Sequence, residues 1–270
     1  MSNAGHARTG DLEPERQADE VLDSLDGRRL MVLLDYDGTL SPIAPRPEDA
    51  VLPPAMRPVL ESLGERWLTA IISGRSLADV RALVGVERLV YAGNHGLEIE
   101  GPPGSDISRN LGEDYAPDVA AAAAELEAAL AGVVGVLVET TPFSRSVHYR
   151  LVAPESVGLV EMAVDRAIAA HPRLTKRLGK KVFELRPDLA WNKGTAVAWL
   201  LEVVNNRGTG ALPVYVGDDV TDEDAFRALE GIGIGVLISD EARPTAASHR
   251  LRDTDEARRF LSQLASGGQA

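Results

Sequence analysis

Short apolar runs that alternate with helical patterns are the feature that most restricts the fold of this 270-residue chain. Four of these runs are bounded by turn signals and predict buried strands, at residues 29–34, 67–72, 88–92 and 213–216. Helical patterns lie between them, at residues 54–63, 77–83, 194–204 and 222–229. Because strands that alternate with helices form parallel sheets covered on both faces, the sequence predicts a doubly wound α/β core.

The middle of the chain has a different pattern. A polar stretch at residues 102–104 precedes a predicted helix (117–130), two strands (135–139 and 146–152), a second helix (154–170) and a further strand (181–185). This order predicts a small sheet covered by two helices. We therefore expect residues 108–187 to form an inserted α/β domain and residues 26–107 and 188–270 to form the core. Residues 1–25 are expected to be an N-terminal extension, disordered or a short helix, without an assigned function.

Composition argues against several classes of function. The formal charge of −13 argues against nucleic acid, because nucleic-acid binding depends on lysine and arginine. No run approaches the ~18 apolar residues of a membrane span, and residues 1–20 lack a secretory signal, so we expect a cytoplasmic protein. With no cysteine, any metal must bind through oxygen or imidazole. If the substrate of such an acidic chain is a phosphate ester, local positive groups must bind it, such as a metal, a lysine or backbone amides.

Two carboxylates directly follow the first apolar run. The sequence D-x-D-G-T-L at residues 35–40 places them at the carboxyl end of a buried strand, where open α/β sheets bind ligands. A carboxylate can attack a phosphoryl group, so Asp35 is the predicted nucleophile and Asp37 the predicted general acid and base. Gly38 allows a tight turn near the phosphate, and Thr39 supplies a hydroxyl and an amide as donors.

Polar residues at two further element ends support this site. Ser73 and Gly74 follow the second apolar run and are predicted to contact a phosphate oxygen, and Ser76 is predicted to cap the next helix. Lys193 begins the helix that returns the chain to the core. A cation at that position is predicted to neutralise the phosphoryl charge and to restrain Asp35.

Several acidic residues follow the strand at 213–216. Residues 217–223 read G-D-D-V-T-D-E, and like charges so close are unfavourable unless a cation compensates them. Magnesium prefers a few carboxylates together with water and phosphate oxygens. The predicted magnesium ligands are Asp35, Asp218 and the backbone carbonyl of Asp37. Asp219 and Asp222 are expected beside them, in contact with Lys193 or metal-bound water, although Asp222 also suits an acidic helix start.

These four motifs, with an insertion between the second and the third, resemble the haloacid dehalogenase (HAD) superfamily. Within it, the chain resembles the trehalose-6-phosphate phosphatases, through G-N-H-G-L-E at 93–98, V-H-Y-R at 147–150, F-E-L-R-P at 183–187 with N-K-G at 192–194, and G-D-D-x-T-D-E at 217–223. The resemblance implies a Rossmann-like core with a cap domain and Mg²⁺-dependent hydrolysis of trehalose 6-phosphate through an aspartyl-phosphate. It also implies a role in trehalose biosynthesis and a functional link to a trehalose-6-phosphate synthase.

The resemblance also implies where the sugar binds. Asn94 and His95 would lie near the phosphosugar. Glu139, Arg150 and Glu184 on the cap would bind glucose hydroxyls, a task that suits charged groups because each can form charge-assisted hydrogen bonds.

One position departs from the family pattern and leaves the substrate open. The family commonly has V-E-x-K, whereas this chain has Thr141 in place of the lysine. Either Arg145 substitutes from the neighbouring turn, or the pocket accepts another sugar phosphate, such as sucrose phosphate or mannosyl-3-phosphoglycerate. A catalytically silent phosphatase-like module and a response-regulator receiver are alternatives from other classes. The intact motifs argue against both of them.

Overall fold

The chain forms two units in a computed structural model that describes residues 13–44, 46–179, 181–206, 208 and 210–267. The larger unit consists of the residues up to Arg109 and from Trp191 onwards, and the smaller unit is Asn110–Ala190. The strands of the described residues are β1 Leu30–Leu34, β2 Leu68–Ile72, β3 Val90–Gly93, β4 Glu98–Glu100, β5 Ser108–Asn110, β6 Leu137–Thr140, β7 Arg145–His148, β8 Leu174–Gly179, β9 Val182–Pro187, β10 Leu212–Gly217, β11 Ile234–Ile238 and β12 His249–Leu251. The α-helices are α1 Pro14–Asp23, α2 Met56–Arg66, α3 Leu77–Val84, α4 Ala116–Leu130, α5 Val157–Ala170, α6 Lys193–Asn205, α7 Asp222–Ala228 and α8 Thr254–Ser266.

An eight-stranded sheet forms the centre of the larger unit, in the order β12-β11-β10-β1-β2-β3-β4-β5. Neighbouring strands pair in parallel from β12 through β11, β10, β1 and β2 to β3. Strand β4 pairs with β3 in the antiparallel direction. Every residue of β1 is buried, because alternate side chains pack into two separate apolar clusters. Helices α1, α2, α3 and α8 contribute to one cluster and α6 and α7 to the other. The predicted doubly wound α/β core is therefore confirmed.

Helix α1 lies in the segment that the sequence predicts to be an N-terminal extension. Its buried residues, Pro14, Gln17, Ala18 and Val21, have the spacing of one helical face. That face packs against α8, and the amide of Gln17 donates to the carbonyl of Arg250 at 3.1 Å. Residues 14–23 therefore form the short helix, which was one of the two alternatives, and are not disordered. Residues 1–12 lie outside the described residues.

The smaller unit has an antiparallel sheet in the order β6-β7-β9-β8. Apolar side chains on one face of this sheet, including Val147, Phe183 and Leu185, pack with residues of α4 and α5 in a third core cluster. Glu139, Ser146, Glu184 and Arg177 are aligned across β6, β7, β9 and β8. Because paired residues share a face and strand residues alternate, this row lies on the face opposite the helices.

Strand order brings the chemical motifs to one edge of the larger sheet. β10, β1, β2 and β3 are neighbours, and all four run in the same direction. Asp218, Asp35, Ser73 and Asn94 each follow one of these strands directly. Their backbones therefore converge at the carboxyl edge of the sheet. Among the described residues, no helix is long and apolar enough to cross a membrane.

The packing of α1 predicts a stability effect far from this edge. Val21 has no exposed surface, so V21A should lower the free energy of unfolding by about 1.5 to 2 kcal/mol, at ~0.8 kcal/mol per buried methylene. The exposed Arg16 of the same helix is the control, and R16A should change stability by less than about 0.5 kcal/mol. Tryptophan fluorescence during urea unfolding measures the larger unit, because all three tryptophans belong to it. Equal effects of the two variants would contradict the docking of α1.

Candidate active site

Lys193 lies at the centre of the converging motifs, and its side chain is 3% exposed. Its ammonium donates to Oδ1 of Asp35 and to Oδ1 of Asp222, each at 2.7 Å. Burial acts to lower the pKa of Lys193, but the two carboxylates outweigh it and the pKa lies above its ordinary value. Lys193 is therefore a buried cation that bridges two acids.

The start of helix α6 fixes where this lysine lies. Asn192 caps the helix, because its side chain accepts from the backbone N–H of Thr195 at 2.9 Å. The hydroxyl of Thr195 lies 2.7 Å from the backbone nitrogen of Asn192 and accepts its hydrogen, which completes a reciprocal cap. Lys193 is the first residue of the helix, so this local pattern sets the origin of its side chain.

Asp35 is almost fully buried beside Lys193. Its backbone N–H donates to the carbonyl of Val216 at 2.9 Å, which extends the pairing of β1 and β10 by one residue. Burial raises the pKa of Asp35 well above its usual range, with Lys193 opposing the rise and Asp222 and Asp218 adding to it. The carboxyl group thus lies in a pocket that holds more acidic groups than cations.

Asp222 organises the acidic segment rather than offering a free carboxylate. Its Oδ1 accepts from Lys193 and from the hydroxyl of Tyr215, the latter at 2.6 Å. Its Oδ2 accepts from the backbone N–H groups of Asp218 at 3.0 Å and Asp219 at 2.9 Å. With four donors, Asp222 has its acceptor sites filled, so it ties the end of β10 to α6 and α7.

Asp218 has incomplete hydrogen bonding, as does Glu223 among the described residues. Its Oδ1 is buried and has no hydrogen-bond partner among the described residues. Burial, followed by the charges of Asp222 and Asp219, raises the pKa of Asp218 to about 7. A Cβ atom on Gly38 would lie 2.0 Å from Oδ2 of Asp218, so glycine is required for the two loops to approach this closely.

This arrangement fits a divalent cation. Ligand atoms of Asp35, Asp218 and Asp222 lie within 4.8 Å of one another. Because the oxygens of Asp222 already accept four hydrogen bonds, Asp35 and Asp218 are the carboxylates that could hold a metal. The orphaned oxygen of Asp218 and the approach of three acids to one lysine indicate negative charge that Lys193 alone does not balance.

Asp37 lies at the edge of this cluster, in an ion pair with Arg75. The guanidinium donates from Nε to Oδ2 at 2.7 Å and from Nη2 to Oδ1 at 2.6 Å. Asp37 belongs to a tight loop in which the N–H of Gly38 donates to the carbonyl of Ser41 at 2.8 Å. The side chain of Asp37 is 41% exposed, compared with 14% for Arg75.

Ser73 and Thr39 are both buried, and their hydroxyl groups differ in hydrogen bonding. The Ser73 hydroxyl accepts from the N–H of Arg75 at 3.1 Å, so its own hydrogen is directed elsewhere. Thr39 is fully buried, and its hydroxyl has no hydrogen-bond partner among the residues described. The amide of Thr39, predicted to face a phosphate, donates to the carbonyl of Tyr36 at 3.3 Å. The predicted helix cap at Ser76 is confirmed, because its side chain accepts from the N–H of Asp79 at 3.1 Å at the start of α3.

The loop after β3 packs against the loop that carries Ser73. The N–H of His95 donates to the carbonyl of Ser73 at 2.8 Å, and a Cβ on Gly74 would lie 2.9 Å from Cε1 of His95. Asn94 and His95 both have left-handed backbones, with φ of 51° and 57°. The side chain of Asn94 donates to Glu98 at 2.8 Å. Two consecutive non-glycine residues of this kind store strain, which is a feature of functional loops.

In the smaller unit, the predicted sugar-binding residues lie on the sheet and on the turn after it. Glu139 and Glu184 belong to the aligned row opposite the helices, and the carboxylate of Glu139 lies 3.0 Å from Nε2 of His148. Arg150 is exposed on the turn after β7. The row also contains a cation, Arg177, which pairs with Glu184.

Arg145 does not lie where the missing lysine is expected. Its side chain is buried, and its guanidinium donates to the backbone carbonyls of Thr141 and Ser144. On β7, Arg145 and Val147 alternate with Ser146, which faces the same way as Glu139. Arg145 therefore clamps the turn between β6 and β7 from the opposite face, which argues against the alternative that Arg145 replaces the missing lysine.

Two residues of the site were missed by sequence reasoning. Tyr215 lies within an apolar strand pattern, and the only signal of a polar role is its hydroxyl. Arg75 follows Ser73-Gly74 directly, and arginine is an ordinary surface residue in most loops.

Known proteins are similar to this chain in sequence and in fold. The trehalose-phosphatase family model matches residues 33–255. A probable trehalose-phosphate phosphatase 9 from Oryza sativa subsp. japonica is 39% identical, covering 88% of this chain and 70% of the relative. Trehalose-phosphate phosphatase B of Arabidopsis thaliana is 35% identical, covering 91% of this chain and 69% of that protein.

Solved structures have the same fold. The C-terminal domain of Candida albicans trehalose-6-phosphate phosphatase superposes with a TM-score of 0.74 at 22% identity, and the match covers 97% of this chain and 99% of that domain. The fold agrees across both chains, and the family model spans most of the described residues. The chain belongs to the trehalose-phosphatase family.

Proposed function

We propose that this protein hydrolyses trehalose 6-phosphate to trehalose and phosphate, with Mg²⁺ as cofactor and an aspartyl-phosphate on Asp35 as intermediate. The observation that carries the proposal is the buried cluster in which Lys193 contacts Asp35 while Asp218 keeps an unpaired oxygen. A purely structural role would leave that buried oxygen without compensation. The substrate is supported by the family and by the names of the relatives.

The first half of the reaction transfers the phosphoryl group to the protein. A carboxylate oxygen of Asp35 attacks phosphorus, and the bond between phosphorus and the sugar oxygen breaks. The departing oxygen takes a proton from the carboxyl group of Asp37, so trehalose leaves as an alcohol. Lys193 restrains Asp35 and offsets the negative charge that gathers on the phosphoryl oxygens.

The second half releases phosphate. Asp37, now a carboxylate, takes a proton from water while the water oxygen attacks phosphorus. The bond between phosphorus and the Asp35 oxygen breaks, which restores the Asp35 carboxylate and the protonated Asp37. One residue thus serves as acid and then as base.

Asp35, Asp218 and the backbone carbonyl of Asp37 would hold the magnesium ion. When bound, magnesium supplies positive charge to the phosphoryl oxygens and orients them for attack. Asp222 and Asp219 support this group, Asp222 through the backbone amides of the acidic segment. The excess of buried acidic groups over cations supports this ligand set.

We assign the contacts to the phosphate and to the sugar as the sequence predicts them. The phosphate would contact Gly38, Thr39, Ser73, Gly74 and Lys193, and the unpaired hydroxyl of Thr39 is available to it. The sugar would contact Asn94, His95, Glu139, Arg150 and Glu184. The cytoplasmic location and the functional link to a trehalose-6-phosphate synthase stay predictions of the sequence.

The nucleophile assignment predicts the loss of turnover. D35N should lower phosphate release from trehalose 6-phosphate by roughly 10⁴-fold or more, as expected for a catalytic nucleophile. Asp224, whose side chain is 41% exposed in helix α7, provides the matched control, and D224N should keep nearly full activity. Mass spectrometry of acid-quenched wild-type protein should detect phosphate on Asp35. Substantial turnover by D35N would refute the nucleophile.

The metal assignment predicts different behaviour for two adjacent aspartates. D218N should raise the Mg²⁺ concentration required for half-maximal activity by at least about 10- to 100-fold, the loss typical of residues that only support metal ligands. D219N should raise this requirement less than D218N does, because Asp219 is exposed and is expected beside the metal ligands rather than among them. Activity of chelator-treated protein is titrated with Mg²⁺ for both variants. An unchanged requirement in D218N would remove Asp218 from the ligand set.

The sugar assignment predicts a loss that depends on the substrate. E184Q should lower kcat/KM for trehalose 6-phosphate by roughly 10- to 100-fold, as expected for a lost charge-assisted hydrogen bond of about 1.5–3 kcal/mol. Hydrolysis of p-nitrophenyl phosphate, which has no sugar, should change little. The exposed Glu155 serves as control through E155Q. A wild-type panel with sucrose 6-phosphate, mannosyl-3-phosphoglycerate and glucose 6-phosphate tests the substrate itself, and preference for one of these would contradict the trehalose assignment.

A further inference from the structure

The ion pair between Arg75 and Asp37 has a role that the chemical motifs leave unassigned. We propose that Arg75 is a positioning residue that sets the orientation of the Asp37 carboxyl group for proton transfer. The inference rests on the proposed function, in which Asp37 exchanges protons with the leaving sugar and with water. Arg75 itself transfers no proton, because a guanidinium stays protonated in proteins.

The contact between Arg75 and Asp37 fixes the orientation of the carboxylate as well as its distance from the guanidinium. Both Asp37 oxygens are bound by two different nitrogens of one planar group, at 2.7 and 2.6 Å. A two-point contact of this kind defines the plane of the carboxylate as well as its position. Asp37 needs such a partner because it lies in a loop and is 41% exposed, whereas Asp35 is held by burial and Lys193.

Arg75 is itself held by the segments around it. Its N–H donates to the hydroxyl of Ser73 at 3.1 Å, and its carbonyl accepts from the N–H of Asn94 at 2.7 Å. Its guanidinium lies 5.3 Å from the ring centroid of Tyr36. The hydroxyl of buried Tyr36 donates to the carbonyl of Ala50 at 2.9 Å, so the ring beneath the guanidinium is anchored. The orientation of Asp37 thus depends on the loops after β2 and β3.

A second arginine provides a matched comparison. Arg81 in helix α3 forms an ion pair with Glu100, and its guanidinium lies 5.5 Å from the ring centroid of Tyr91. The two sites share an arginine, a carboxylate and a tyrosine ring, but Glu100 belongs to β4 and is not part of the proposed chemistry. R81M therefore removes a similar set of contacts without touching proton transfer.

The test compares leaving groups that differ in their need for a proton. R75M should lower kcat for trehalose 6-phosphate by roughly 10- to 100-fold, part of the ~10²–10⁴-fold that a placed general acid contributes. p-Nitrophenolate leaves without protonation, so the first-turnover burst of p-nitrophenol should keep its rate within about threefold. The burst isolates the first half of the reaction from the later step in which Asp37 acts as base.

Two further variants separate positioning from folding. R75K retains the charge but offers a single point of contact, so its kcat for trehalose 6-phosphate should lie between those of R75M and the wild type. R81M should leave the ratio of the two substrates' rates at the wild-type value. Circular dichroism and thermal unfolding of each variant show whether the fold is intact.

The outcomes distinguish this inference from the proposed function. If R75M hydrolyses trehalose 6-phosphate at the wild-type rate, or slows the burst as much as the sugar phosphate, the positioning role is wrong while the aspartyl-phosphate chemistry stands. If wild-type protein shows no burst and no phosphate release from any ester, both are wrong. Selective loss on trehalose 6-phosphate with partial recovery in R75K would establish the role.

Discussion

The contact of one buried ammonium with two carboxylates is the constraint on which the rest of the site depends. Two like charges about 4 Å apart repel by about 4 kcal/mol at an effective dielectric constant of ~20, a large part of the roughly 5–15 kcal/mol that stabilises a folded domain. Carboxylate oxygens of Asp35, Asp218 and Asp222 lie within 4.8 Å of one another, beside the ends of two adjacent strands. Lys193 makes the approach tolerable for two of them and ties the start of α6 to β1 and α7. The third, Asp218, is where a second cation fits.

The position of the site could be predicted from the sequence because it depends on topology. Asp35, Ser73 and Asp218 each follow an apolar run, and parallel strands carry whatever follows them to the same edge. Lys193 could be assigned because it begins the helix that returns the chain to the core, and the structure places it as the first residue of α6. Strand β8 could not be predicted, because its residues, L-T-K-R-L-G, show no alternation strong enough to distinguish an edge strand from a loop.

Side-chain partnerships were harder to predict than element positions. The pairing of Arg75 with Asp37 depends on the rotamers of two side chains from separate loops, and no sequence spacing encodes it. The contacts of Arg145 were equally hard to predict, because strand alternation decides which face of the sheet its side chain lies on. One residue of register moves a side chain to the other face of a strand, and Arg145 lies on the helix-covered face rather than with Glu139. The register instead aligns Arg177 with Glu184 and Glu139, so this face carries both a cation and carboxylates.

The close approach of Gly38 to Asp218 has a consequence for how such a chain can diverge. A side chain at residue 38 would occupy the space of the Asp218 carboxylate, and the backbone there is left-handed, so two independent penalties oppose every substitution. The two loops come from strands that are far apart in the chain but adjacent in the sheet. Neither loop can change its path without displacing the other. Sequence changes in the loop of Gly38 and in the loop of Asp218 are therefore coupled, because an altered path of one loop requires a compensating change in the other.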